Sequence, residues 1–255
     1  MIRLFKTNQL VVFFIALFLT SCTTKKDVVY FQNAKSFETI VDTDTFKAKL
    51  KTGDVISIYV STLDQTVTQP YNIVIQSGNG GQLIDYLIDS EGNIDYPVLG
   101  KIKLAGLTIE DAKELFKKKF SEGQLLKDPV VMIRFVNFRI TVAGEVASPG
   151  VYPVSGERIS ILEALGMAGD LTIKGRRDNV LVVRDFNGAK TYTRIDLTSK
   201  EVFNSPVYYL TQNDYVYVEP NNSSISNASG DSRVSTIITI TSFILTTALI
   251  FVTRN

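Results

Sequence analysis

The chain has 255 residues, with 27 Lys and Arg against 26 Asp and Glu, no histidine and one cysteine. Charge this close to balance gives no reason to expect a nucleic-acid partner. The absence of histidine rules out imidazole acid-base catalysis and, with a lone cysteine, the usual nitrogen and sulfur metal sites and any internal disulfide.

Arg3 and Lys6 precede an apolar run from Leu10 that leads into Leu19-Thr20-Ser21-Cys22. A basic start, a short apolar stretch and a small residue before the cut read as a secretory signal peptide over residues 1–21. The residue after the cut is Cys22, and the arrangement resembles the lipobox of bacterial lipoproteins, whose cysteine is acylated. On that likeness Cys22 is the lipidation site and is not available as a nucleophile. Removal of Arg3 and Lys6 leaves 25 basic residues against 26 acidic ones. Residues 22–45 are polar with little periodicity and read as a lipidated tether. Thr23 follows the cysteine where aspartate would mark retention, which by likeness to other lipoproteins directs the chain to the outer membrane.

Residues 46–138 read as a mixed α/β domain. Thr52-Gly53-Asp54 forms a turn feeding a strand in which Ile56, Ile58 and Val60 alternate with Val55, Ser57 and Tyr59. Ser90-Glu91-Gly92-Asn93 separates two short strand-like runs and predicts a hairpin. Thr108 followed by Asp111 resembles a capping box, and Ile109, Ala112, Leu115, Phe116 and Phe120 recur at helical spacing. Lys117 to Lys119 suit the helix C-terminus. Asp128-Pro129 is expected to stop that helix, and Val130 to Val136 to form a buried strand.

The runs "LKTGDVISI", "YLIDSEGNIDYPVLGKIKLAGLTIEDAKELF" and "DPVVMIRFV", in that order, resemble the polysaccharide export domain of outer-membrane polysaccharide export lipoproteins, the Wza-like proteins that pass capsule or exopolysaccharide out of Gram-negative cells. Residues 139–219 continue the likeness. Ile140 to Tyr152, a strand, a Ser148-Pro149-Gly150 turn and a second strand, is similar to the opening of a soluble-ligand-binding β-grasp (SLBB) domain. Ser160 caps a short helix, and four further strands end at Val218. The family pattern has Ala-Gly-Gly where this chain has Ala168-Gly169-Asp170; aspartate tolerates the left-handed region, so the turn is kept. Tyr208, Tyr209, Tyr215 and Tyr217 have rings able to stack on sugars, but in strands like these such rings more often serve packing, and they are not assigned as a site. Larger relatives carry further SLBB copies, and this chain has room for one.

A Ser/Asn-rich linker over residues 220–233 leads to residues 234–252, nineteen residues with no charge and seven Ser or Thr. As a helix at about 1.5 Å per residue this run reaches roughly 28 Å, enough to cross the apolar layer of a bilayer. At about 100° per residue Ser235, Thr239, Ser242 and Thr246 fall on one face. Such hydroxyls either bond back to the preceding turn, as in a lone anchor, or face water or a neighbouring helix.

The expected fold is therefore α+β: two small mixed α/β domains and a C-terminal transmembrane helix. The family likeness implies an outer-membrane channel for capsular or extracellular polysaccharide, lined by Ser235, Thr239, Ser242 and Thr246. Helices about 10 Å apart need on the order of eight copies to enclose a hydrated sugar chain, so a cyclic homo-oligomer is implied. The likeness further implies an inner-membrane polysaccharide co-polymerase or tyrosine autokinase as partner, domains in the periplasm, and no cofactor or metal. The alternative is a membrane-anchored glycan-binding or scaffold lipoprotein. An enzyme is not expected: Asp85, Asp89, Glu91 and Asp95 supply carboxylates for a glycosidase pair, but they flank a turn, where acids serve solvation.

Overall fold

Side-chain alternation sets the first strand, β1 (Val55–Ser61), which buries Ile56, Ile58 and Val60 and turns the intervening residues outward. The computed structural model describes residues 28–36, 46–77, 80–186, 188–222, 224 and 232–253. The signal peptide and Cys22 lie outside these residues, as does most of the linker.

After β1 come a 3-10 turn (Gln65–Tyr71), β2 (Val74–Ser77), β3 (Gly80–Leu83), β4 (Asp85–Leu87), β5 (Asn93–Tyr96), β6 (Gly100–Lys103), helix α1 (Ile109–Glu122) and β7 (Val130–Phe135). β1 lies between β4 and β7, antiparallel to both. The helix begins as its sequence requires: Thr108 accepts from the Asp111 amide and the Asp111 carboxylate accepts from the Thr108 amide. Its Ile109, Ala112, Phe116 and Phe120 form one core with Ile56, Ile58, Val60 and Ile133. Phe116 meets Tyr96 edge-on, with ring centroids 4.9 Å apart.

Three local expectations change. The runs flanking the Gly92 turn are not paired as a hairpin: β4 joins β1, whereas β5 pairs with β6. The turn is closed instead by Asp89, whose carboxylate accepts from the Asn93 amide at 2.8 Å. Helix α1 ends at its Gly123 cap, short of Pro129, because the glycine needs no side-chain room there. β7 is not buried on both faces. It stands at the sheet edge, with Val130 and Met132 exposed and Val131 and Ile133 buried.

The second block contains β8 (Arg139–Gly144), β9 (Gly150–Pro153), β10 (Ile159–Ser160), α2 (Ile161–Met167), β11 (Gly175–Phe186), β12 (Ala189–Ile195), β13 (Tyr209–Leu210) and β14 (Tyr215–Pro220). Five strands form a sheet in the order β12-β11-β14-β8-β9, with β14 and β8 parallel. Ile140, Val142, Val180, Val182, Val216 and Val218 are buried on it and pack with Ile161, Ala164 and Leu165 of α2. Ser160 and Glu163 form a second capping box. Gly144, at φ +88°, passes so near β14 that a Cβ would come 2.1 Å from the Val218 carbonyl oxygen. Only glycine fits there.

The chain is thus a mixed α and β protein with several sheets. A helix also forms at the C-terminal end, α3 (Ser232–Thr253), 22 residues long. The transmembrane expectation for it needs correcting in one respect: among the described residues no helix is long and apolar enough to cross a membrane. Several apolar side chains of the 234–252 run, those of Leu245 and Phe251 among them, lie outside the description.

Candidate functional site

The hydroxyls of α3 bond back into their own helix. Ser242 donates to the Thr239 carbonyl at 2.9 Å and Thr246 to the Ser242 carbonyl at 2.5 Å. Thr241 and Thr247 do the same to Ile237 and Phe243, each at 2.7 Å. A hydroxyl whose proton is so used keeps lone pairs as acceptors. Of the four stripe positions expected from sequence, Ser242 and Thr246 therefore present acceptors, Thr239 supplies the carbonyl beneath Ser242, and the Ser235 side chain lies outside the description. Ile237, Ile238, Ile240, Phe243, Ile244 and Ile250 of the same helix are each more than half exposed. This much uncovered apolar surface marks a face made for lipid or for another chain.

Residues 28–36, which the sequence placed in a polar tether, lie along the second block. Tyr30 donates to Asp170 at 2.5 Å and its ring sits under the Arg177 guanidinium, 5.8 Å from the ring centre. Burial, then the Asp170 hydrogen bond, push the phenol pKa up. Phe31 stacks on Phe203 with centroids 5.3 Å apart, its amide donates to the Leu197 carbonyl, and Asn33 accepts from the Lys200 amide. Asp170, with φ +68°, occupies the left-handed conformation expected of the Ala168-Gly169-Asp170 turn. The residue that departs from the family pattern is the one that holds Tyr30. Tyr30→Phe should cost about 1 kcal/mol and speed amide exchange in residues 28–36, read by hydrogen-exchange mass spectrometry and thermal melting.

The two blocks meet through polar groups. Asn137 accepts from the Val55 amide at 2.9 Å and donates to the Gly53 carbonyl, while Gln212 bridges Arg139 and Asn137. Lys51 reaches across to the Thr211 hydroxyl at 2.9 Å. Burial lowers the pKa of this lysine. Asp54, 2 % exposed, accepts from the Lys51 amide at 2.7 Å, and burial pushes its carboxyl up to about 6. A carboxyl raised on folding binds protons more tightly in the native state, so its stabilisation is full in acid and is lost as pH rises through the window from about 4 to about 6. Asp54→Asn keeps the amide acceptor and should flatten that fall, seen as a smaller change in denaturation midpoint across the window.

Beside the junction, Phe46, Lys47, Ala48, Ile109, Glu110, Glu157 and Arg158 line a cleft of about 320 Å³. Phe46 stacks on Tyr209, and the Arg158 guanidinium lies 4.8 Å from the Tyr209 ring centre. Tyr215 and Tyr217 stack on each other, nearly parallel. Of the carboxylates weighed as a glycosidase pair, Asp89 closes its turn and Glu91 pairs with Lys101 at 3.3 Å. Hydrogen bonding to the Asn93 amide holds Asp89 below its ordinary range. The junction and the docked 28–36 segment escaped sequence reasoning because their polar partners are far apart in the chain. The one local signal was Asp170.

Residues 43–136 match the family model of polysaccharide biosynthesis/export proteins, and residues 139–194 match the SLBB domain. Together they take in most of both blocks. The chain belongs to the outer-membrane polysaccharide export family. Among its relatives is the EPS I polysaccharide export outer membrane protein EpsA of Ralstonia solanacearum, 27% identical over 215 residues, 78% of this chain and 56% of that protein. The protein of the same name from Ralstonia nicotianae is 29% identical over 156 residues, 57% of this chain and 40% of its own length. The chain thus spans about half the length of these relatives.

Proposed function

We propose that this family member is a subunit of an outer-membrane channel for capsular or extracellular polysaccharide. Copies related by a rotation axis bring their α3 helices together across the membrane, with Ser235, Thr239, Ser242 and Thr246 toward the lumen and Ile237, Ile240 and Ile244 toward lipid. The observation that carries the reading is α3 itself: a 22-residue helix with a 19-residue uncharged run and exposed apolar side chains. Back-bonding satisfies the Ser242 and Thr246 donors within the helix, so these two positions tolerate a bilayer. Their remaining acceptors suit a wet wall along which sugar hydroxyls donate.

Acylated Cys22 anchors the chain at the outer membrane, and the two blocks lie in the periplasm toward an inner-membrane co-polymerase or tyrosine autokinase. Transport on this reading makes and breaks no bond; the driving force comes from synthesis and from the inner-membrane partner. The test is native mass spectrometry of detergent-extracted full-length protein beside a version ending at Ser232. A closed ring that the shorter version cannot build supports the channel. A monomer at full length overturns it in favour of an anchored glycan-binding lipoprotein.

A further inference from the structure

Val74–Ser77 pairs with Gly80–Leu83, and among the described residues this two-stranded sheet joins no other. An isolated hairpin is marginal in water and needs a third strand or a packed face. This one has neither: Val74, Ile75 and Gln82 are exposed, as are Leu63, Val67 and Ile73 near its base. Residues 65–84 contain no charged side chain, in a chain that is 21% Asp, Glu, Lys and Arg. Exposed edge strands are ordinarily guarded by charge, proline or a bulge. Neither β2 nor β3 carries a charge or a proline.

A matching open edge lies across the same domain. Among the described residues β7 pairs only with β1; it offers six residues with one charge, Arg134, and exposes Val130 at 58% and Met132 at 39%. The hairpin runs through Ile84 straight into β4, the strand at the opposite edge of that sheet. The hairpin and the β7 edge are therefore on opposite sides of one subunit. Surfaces so placed make a head-to-tail contact, which repeats around a rotation axis and closes. An apolar hairpin without charge is matched by an apolar edge whose one charge is Arg134, and this chain supplies both.

We infer that the β2–β3 hairpin of one copy adds by main-chain hydrogen bonds to the β7 edge of the next, so that the sheet of the first block continues from subunit to subunit. This rests on the ring proposed above and names its periplasmic interface. The test uses full-length protein carrying Ile75→Lys or Met132→Lys. Both side chains are exposed, so circular dichroism and melting should be unchanged while native mass spectrometry shows loss of the ring. A second form carrying Ile75→Cys with Val130→Cys should give, on mild oxidation, a ladder of covalent multimers that neither single variant gives. A ring that survives both lysine substitutions, with no ladder, overturns the contact and leaves the channel reading standing. A monomer before any substitution overturns both. An intact ring that binds phosphatidylethanolamine and phosphatidylglycerol vesicles less well after Ile75→Lys also overturns it, since the hairpin would then be a lipid contact.

Discussion

Ending the chain at Ser232 is expected to abolish polysaccharide export while leaving both blocks folded. None of the described α3 side chains belongs to either hydrophobic core. Removing a helix whose described apolar residues are already exposed takes nothing from those cores, so the melting of the two blocks should shift by no more than about 0.5 kcal/mol, as for other changes away from packed features. Surface polysaccharide, measured on cells that make only the shortened chain, should fall to the level of cells lacking the protein. The alternative reading makes the opposite prediction. If the helix is only an anchor, acylated Cys22 still holds the shortened chain at the membrane and export continues. Export at full strength would therefore sink the channel and favour the scaffold.

Single substitutions in the stripe should be far milder, because the back-bonds of Ser242 and Thr246 supply the helix with little stability that alanine lacks. The contrast between truncation and point change separates a lumen wall from a specific binding site.

Much of the fold was legible because it is written in local periodicity. The alternation of Ile56, Ile58 and Val60, and the helical spacing of Ile109, Ala112, Phe116 and Phe120, each specify an element and its buried face. The Thr108 cap needs only residues three apart. Pairing between elements was less legible. Nothing in the stretch around Gly92 says that its two strands enter different sheets, because β4 is claimed by β1, some thirty residues away. The edge position of β7 is hidden for the same reason: an apolar run reads as buried until its neighbours are known. At the candidate site, Ser242 and Thr246 were visible as a stripe whose hydroxyls could bond back or face outward, and sequence did not choose between the two. The docking of Tyr30 on Asp170, 140 residues apart, left only an aspartate where the family pattern has glycine.

The largest single-residue effect on stability is expected at Asp214. Its carboxylate is fully buried and pairs at 2.7 Å with Arg184, whose side chain is 13% exposed. Arg184 Nε also donates to both carboxylate oxygens at 3.1 Å, and the Thr211 amide donates to Oδ2 at 2.8 Å. A buried pair of this kind adds little over a well-packed apolar pair, yet removing one member leaves the other charged and uncompensated, at a cost of about 3–5 kcal/mol. Asp214→Ala strands the guanidinium and the Thr211 amide together. It should lower the melting temperature by about 10 °C, taking roughly 2–4 °C per kcal/mol for a chain of this size. Asp214→Leu combined with Arg184→Met removes both charges and should recover most of that loss, and the shortfall from additivity measures the coupling. Thr211, which the carboxylate positions, is also where Lys51 of the first block lands. The alanine variant should therefore loosen the junction between the blocks as well as the second core. Hydrogen exchange around residues 51–55 rising in step with exchange around residues 211–214 would show it. An Asp214→Ala protein that melts with the unsubstituted chain would mean that the charge pair contributes nothing to stability.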